Sequence, residues 1–261
     1  MSRKDVIKDA VKLQFGANAD KYVTSIGHAR GEDLLQVVGW LNPRKHWRVL
    51  DIATGGGHTA AVVAPHVKSV FASDLTEAML AAARAHIERL QLDNIYFVLA
   101  DAEQLPFLSQ SFAAVTCRIA AHHFPHQDVF VQEVARVLTE DGKFLFIDNV
   151  SPESADLRTF HNTFEKMRDE SHGECLPISA WEHLLDHAGF AVERDERRRK
   201  RMAFRPWAER MAATEEQVYR VEQFLLNADE HAKAHFEIEQ ENGHITSIGI
   251  DEWMVLAKKV R

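Results

Sequence analysis

The chain has 261 residues, 46% of them hydrophobic, enough to bury a substantial core as one domain. Its 31 basic residues against 39 acidic ones leave a net charge of −8, which argues against broad attraction to nucleic acid and favours a small-molecule partner. Cys117 and Cys175 lie outside any C-x-x-C pattern, so neither a disulfide framework nor a structural zinc site is expected. No apolar run approaches the roughly 20 residues that span a bilayer, and the polar N-terminus lacks a signal-peptide core. A cytoplasmic protein without membrane insertion is expected, of unknown oligomeric state.

In chain order, residues 4–15 place Val6, Ile7, Ala10, Val11 and Phe15 at helical spacing. The small, polar stretch after them, through Tyr22, reads as an N-terminal arm, or with Tyr22 and His28 as a lid. A helix is predicted from Glu32 to Leu41, stopped by Asn42-Pro43. Arg48 to Ile52 is an apolar strand carrying Asp51, and it runs into Gly55-Gly56-Gly57. A helix opens near Thr59, so the glycine turn leaves backbone N–H groups beside a ligand at the sheet's carboxyl edge.

Ser69 to Ser73 is a second strand ending at Asp74, 19 residues beyond Gly55, where an acid accepts hydrogen bonds from ribose hydroxyls. Thr76 is expected to cap the next helix, through Leu90. Ile95 to Leu99 is a third strand ending at Asp101-Ala102; a helix N-cap and a base-amino contact are both open readings for Asp101. Phe112 to Cys117 is a fourth strand, and it leads into Arg118 and then Ala120-Ala121-His122-His123. A helix over Gln127 to Leu138, a turn at Asp141-Gly142 and a fifth strand, Phe144 to Ile147, ending at Asp148-Asn149, follow. Such βα alternation predicts a Rossmann-like, doubly wound sheet of seven strands, mostly parallel with the last strand antiparallel, under a helical cap. The division is a single domain: residues 1–45 an N-terminal helical lid, 46–150 a cofactor-binding core, 151–261 substrate-side helices and C-terminal strands.

Beyond Ser151, two amphipathic helices flank the loop Ser171 to Pro177, and Phe190 to Val192 reads as a sixth strand. The run Arg197 to Arg201 reads as a solvated edge or turn, or as a docking patch for an anionic partner. A further helix from Arg205-Pro206, a type I′ hairpin at Asn242-Gly243 and a seventh strand, Trp253 to Ala257, complete the chain. Phe160, Phe164, Trp181, Phe204 and Trp207 suggest an apolar pocket cover.

Gly55-x-Gly57-x-x-Ala60 also fits a dinucleotide fingerprint. Asp51 discriminates: an acid four residues before the loop repels pyrophosphate but attracts an ammonium group. S-adenosylmethionine carries an amino acid tail and no phosphate. An NAD-dependent oxidoreductase would also need a hydride-transfer constellation such as Tyr-x-x-x-Lys, absent here.

Val49 to Gly57, Ser73-Asp74-Leu75, Ala100 to Phe107 and Arg136-Val137-Leu138-x-x-x-Gly142 together resemble the successive motifs of class I S-adenosylmethionine-dependent methyltransferases. The branch they most resemble contains the ubiquinone/menaquinone C-methyltransferases. The resemblance covers roughly residues 15–150 and implies S-adenosylmethionine as cofactor. It implies Asp51, Gly55 and Gly57 around the methionine part, Ala53 and Thr54 among the cofactor-binding residues, Asp74 on the ribose, Leu75 on the adenine, and Asp101 and Ala102 at the adenine edge. Arg118 would line the cofactor by its backbone, and Tyr22 would belong to the lid. Ala53 stands where many members have a glycine. Ala120 to His123 replaces the Gly-Leu-Arg-Asn-like run of the quinone enzymes, so quinone specificity does not follow. His123 and His122 are candidate general bases, and Asp148 and Asn149 are candidate substrate contacts. No metal site is expected: Pro125 spoils the His122/His126 spacing. Methyl transfer to a small organic acceptor is the expected activity; the alternatives are a non-catalytic cofactor-binding module, a nucleic acid methyltransferase and the NAD enzyme.

Overall fold

The computed structural model describes residues 3–24 and 31–260, with the side chains of 6–16 and 31–260. The first helix, α1 (Arg3–Thr24), continues well past Phe15, where the apolar spacing ends. No proline interrupts it, and alanines at 17 and 19 favour helix. Tyr22 falls within α1, but its side chain, like the whole of His28, lies outside the described residues. Helix α2 (Glu32–Leu41) stops as expected, with Asn42 in the left-handed region at φ 46° and its N–H donating to Val38 O.

The core alternates strand and helix: β1 (Arg48–Ile52), α3 (His58–Val63), β2 (Ser69–Asp74), α4 (Glu77–Arg89), β3 (Ile95–Leu99), β4 (Phe112–Arg118), α5 (Gln127–Val137) and β5 (Leu138–Val150). The five strands pair in parallel in the order β3-β2-β1-β4-β5. The order reverses between β1 and β4, which opens a crevice at their carboxyl ends. Past β5 come α6 (Ala155–Arg168), α7 (Ile178–His187), β6 (Phe190–Ala203), α8 (Phe204–Glu209), α9 (Glu215–Leu226), α10 (Glu230–His235), β7 (Glu239–Glu241) and β8 (His244–Lys259). Strand β8 lies antiparallel between β5 and β6, which gives the seven-stranded order; the short β7 adds to β8 through the Asn242-Gly243 turn, both residues at positive φ.

Four local expectations are corrected. Asp141-Gly142 is not a turn ahead of β5 but an irregularity inside it, where the register moves from Phe112↔Leu138 to Ala114↔Lys143. The hairpin arm at Ile245 and the strand at Trp253 are one continuous β8. For the basic run, read as an edge or a turn, the edge holds and the turn does not: β6 carries it along the sheet edge, Arg197 opposite Trp253 and Arg201 opposite Gly249. Charged side chains at such an edge also discourage pairing with a second chain. Thr76 precedes α4 without a side-chain cap bond.

Apolar residues on both sheet faces explain the layering. Leu50, Ile52, Phe144 and Phe146 pack with α5 and α7 through Phe130, Val134, Trp181 and Leu185. On the other face Val49, Val70, Leu145 and Met254 meet α2 and α3 through Val37, Leu41, Ala60 and Val63. A third cluster, Phe164, Trp207, Val221, Phe236 and Ile250, builds the cap over one end of the sheet.

Candidate active site

The tip of β1 is fixed by its acid. Asp51 is buried; Thr54 Oγ1 donates to its Oδ2 and Thr116 Oγ1, from β4, to its Oδ1, each at 2.6 Å. Burial pushes the carboxyl up to about 6, and the two hydroxyls oppose that rise. The loop beyond it bends through Ala53 at φ 51°, Gly55 at 54° and Gly57 at 78°. His86 of α4 holds the loop, its Nδ1–H donating to Gly56 O at 2.7 Å.

At the tip of β2, Asp74 accepts the N–H of Thr76 on Oδ1 at 3.0 Å and that of Gly55 on Oδ2 at 3.1 Å, which ties the second strand to the glycine loop. Burial raises this carboxyl, against the pull of those two N–H groups. At the tip of β3, Asp101 accepts from Glu103 N at 2.9 Å and from Lys8 Nζ at 2.5 Å; Lys8 also reaches Glu103 Oε2 at 2.7 Å. These acids, with Ala53, Thr54, Leu75, Ala102 and Arg118, line one crevice, and the Lys8, Val11, Phe15 face of α1 forms part of its wall.

Arg118 lines this crevice, and its guanidinium donates to Asp33 of α2 through Nε and, at 3.1 Å, through Nη2. Ile119, the next residue, takes φ 53°, uncommon for a β-branched side chain. The chain then enters a 3₁₀ turn, Ala121–His123. His123 and Phe15 meet edge to face, ring centroids 5.0 Å apart. His123 Nδ1–H donates to Ser171 O at 3.0 Å, and burial pulls its pKa down to about 4.

A second cavity adjoins the first. It shares Phe15, Ile119 and His123 with it and extends past His122, Asn149, Asp169, Lys200 and Trp207 to the inner side of β6. Of the two expected substrate contacts, only Asn149 lines this cavity. Asp148 is 0% exposed beneath His122, accepting its backbone N–H at 3.0 Å and its Nδ1–H at 2.6 Å. The sequence reading missed Lys8, Asp33, Thr116 and the Asp169–Ser171 segment. Lys8 was discoverable, because Lys8, Val11 and Phe15 share one helical face; the other three come from remote segments.

A doubly wound sheet with a buried acid before its glycine loop and a second cavity against the first defines a class I S-adenosylmethionine-dependent methyltransferase. Residues 50–146 match the methyltransferase domain family, and the chain belongs to it. It is 33% identical over 222 residues to the uncharacterised methyltransferase YcgJ of Bacillus subtilis, an alignment covering 85% of this chain and 88% of that protein. A crystal structure from Bacillus halodurans, described as a candidate methyltransferase, superposes with a TM-score of 0.86 at 39% identity, covering 88% of this chain and 100% of that one. The ubiquinone/menaquinone biosynthesis C-methyltransferase UbiE of Bartonella henselae is 32% identical over 217 residues, 73% of this chain and 83% of its own length.

S-adenosylmethionine is the cofactor, and the residues present fit it. Asp51 is a buried acid whose two oxygens accept hydroxyl hydrogen bonds and which has no ion-pair partner among the described residues, suited to an ammonium group. Among the described residues, the Lys and Arg side chains of the crevice, Lys8 and Arg118, are both committed to carboxylates, which leaves poor provision for a pyrophosphate.

Proposed function

We propose that this protein transfers the methyl group of S-adenosylmethionine to a small organic acceptor bound in the second cavity, by in-line displacement. One observation carries the reading: the two cavities meet at Phe15, Ile119 and His123, so a ligand in each would abut at that wall. The bound cofactor supplies a methyl carbon activated by a sulfonium. Alignment and exclusion of water are then the main tasks of the chain.

In this proposal Asp51 receives the ammonium of the methionine part, beside Ala53, Thr54, Gly55 and Gly57. Asp74 accepts from the ribose, Leu75 covers the adenine, and Asp101 with Ala102 addresses its edge. The Arg118 backbone lines the middle of the crevice, and Tyr22 belongs to the lid. Asn149 offers a side-chain amide to the acceptor; its Oδ1 is buried without a hydrogen-bond partner and needs a donor.

Incubation with methyl-labelled S-adenosylmethionine, a panel of small metabolites, total RNA and unrelated proteins tests the reading. Label is expected in the low-molecular-weight fraction. Label in RNA or protein would overturn the small acceptor, and tight cofactor binding with no transfer to anything would favour a non-catalytic module.

A further inference from the structure

Two histidines stand at the wall between the cavities, and their surroundings differ. Asp148, at the end of β5, accepts three N–H groups: His122 Nδ1–H at 2.6 Å and Asn149 N–H at 2.8 Å on Oδ1, and His122 N–H at 3.0 Å on Oδ2. A carboxylate that grips the ring and the backbone of one residue fixes the ring's orientation. The far side of the turn is clamped too. Gly173 N and Glu174 N donate to His122 O at 2.9 and 3.0 Å, and a Cβ on Gly173 would come within 2.8 Å of that oxygen. With Nδ1 donating to an acceptor-only carboxylate, the lone pair of the neutral ring lies on Nε2, which has no hydrogen-bond partner among the described residues, and His122 lines the second cavity.

We propose that Asp148 and His122 form a general-base pair for the methyl acceptor, His122 as the catalytic residue and Asp148 as its positioning residue, and that the acceptor presents a hydroxyl to His122 Nε2. The inference rests on the methyl-transfer reading above. A hydroxyl is an acceptor that needs such a pair, as an acidic carbon also would, and it is the one proposed. A neutral amine attacks through a free lone pair, and a thiol ionises near neutral pH unaided, whereas an alcohol or phenol must lose its proton as it attacks. The step balances: the acceptor oxygen forms a bond to the methyl carbon, the carbon–sulfur bond breaks with its electron pair going to sulfur, and the hydroxyl proton passes to Nε2. The imidazolium formed lies against the Asp148 carboxylate.

His123 is less suited. Its Nδ1–H meets a carbonyl, not a carboxylate, and its Nε2 stands 3.9 Å from Asp169 Oδ2. The charged and titratable groups facing His122 are Asp148 from β5, Glu165 and His161 from α6, Asp169 and His172 from the loop after α6, and His123 beside it. Burial lowers the proton affinity of His122; Asp148, then Glu165 and Asp169, outweigh it and hold it above the ordinary imidazole value.

Nitrogen NMR of the S-adenosylhomocysteine complex with labelled histidine reads the tautomer without turnover, His122 being assigned by its loss in His122→Gln. At pH 9 the proton is expected on Nδ1 and Nε2 bare; a proton on Nε2 would overturn the pair. In parallel, methyl transfer to 4-methylphenol, 4-methylaniline and 4-methylbenzenethiol is compared. Preference for the phenol is expected, with kcat falling roughly 10²–10³-fold in His122→Gln and Asp148→Asn. The S-adenosylhomocysteine dissociation constant should stay within about twofold, and the acid limb of the kcat profile should move to lower pH in Asp148→Asn. Full kcat in His122→Gln, or preference for the amine or thiol, would overturn it. Transfer to none of the three counts against the hydroxyl acceptor, and the tautomer with cofactor binding then tells failure of the pair from failure of the methyl-transfer reading.

Discussion

Asp51 carries more of the proposal than any other residue. Both its oxygens are taken by hydroxyl protons, and neither Thr54 nor Thr116 brings a charge. Burial holds the group near 6, so it is ionised above that pH and protonated below it. In the proposed site only the ionised form would attract the cofactor's ammonium. The affinity for S-adenosylhomocysteine should therefore be constant from pH 7 to 8 and fall by up to about tenfold per unit as the pH drops below 6. Asp51→Asn should weaken it about 100-fold and flatten that dependence, since a neutral amide keeps the shape and loses the charge. Titration calorimetry across pH checks both; an unchanged affinity in the variant would remove Asp51 from the site. Ala53 adds a residue-scale lesson. The glycine common in related chains at this position matches a backbone at φ 51°, where a Cβ costs roughly 1–2 kcal/mol. The motif was legible in the sequence; the strain that this chain accepts at the crevice was not.

Among the elements, α1 is the one whose role the sequence left open between arm and lid. Its Lys8 crosses the crevice to Asp101 and Glu103 and bridges residues 93 and 95 positions away. Burial disfavours that ammonium, yet the two carboxylates keep it charged. A partly exposed pair of this kind contributes up to about 1 kcal/mol, a factor of roughly five in rate. Lys8→Met should thus speed S-adenosylhomocysteine dissociation about fivefold, and 0.5 M salt, roughly, should reproduce part of the effect in the parent protein. Stopped-flow displacement measures it; identical dissociation rates would mean that α1 is held by its apolar face alone. Strands β1 to β4 were readable because a buried parallel strand is a short apolar run between turn signals. Strand β6 was not. Its residues from Glu193 to Arg201 carry charges on both faces at a sheet edge, so no period of two marks it, and pairing with β8 alone defines its length.

At the scale of the whole molecule, the first 150 residues and the rest contribute differently. The βα core is written in local signals, strand-tip acids and glycines, and it gives the cofactor crevice in chain order. The second cavity, proposed for the acceptor, is assembled from α1, α2, the 3₁₀ turn at His122, the end of β5, the loop at Asp169, β6 and β8, segments that run from Phe15 to Glu252. No local pattern announces such a convergence, and for that reason the sequence reading took Asp148 as a substrate contact, whereas it lies buried beneath His122. The crevice suits a sulfonium cofactor with an amino acid tail and not a dinucleotide. Calorimetric titration of one preparation with S-adenosylmethionine, S-adenosylhomocysteine and NAD tests it most directly. One-to-one binding of the first two in the micromolar range, with no measurable heat from NAD, is expected; tighter binding of NAD would make the crevice a dinucleotide site.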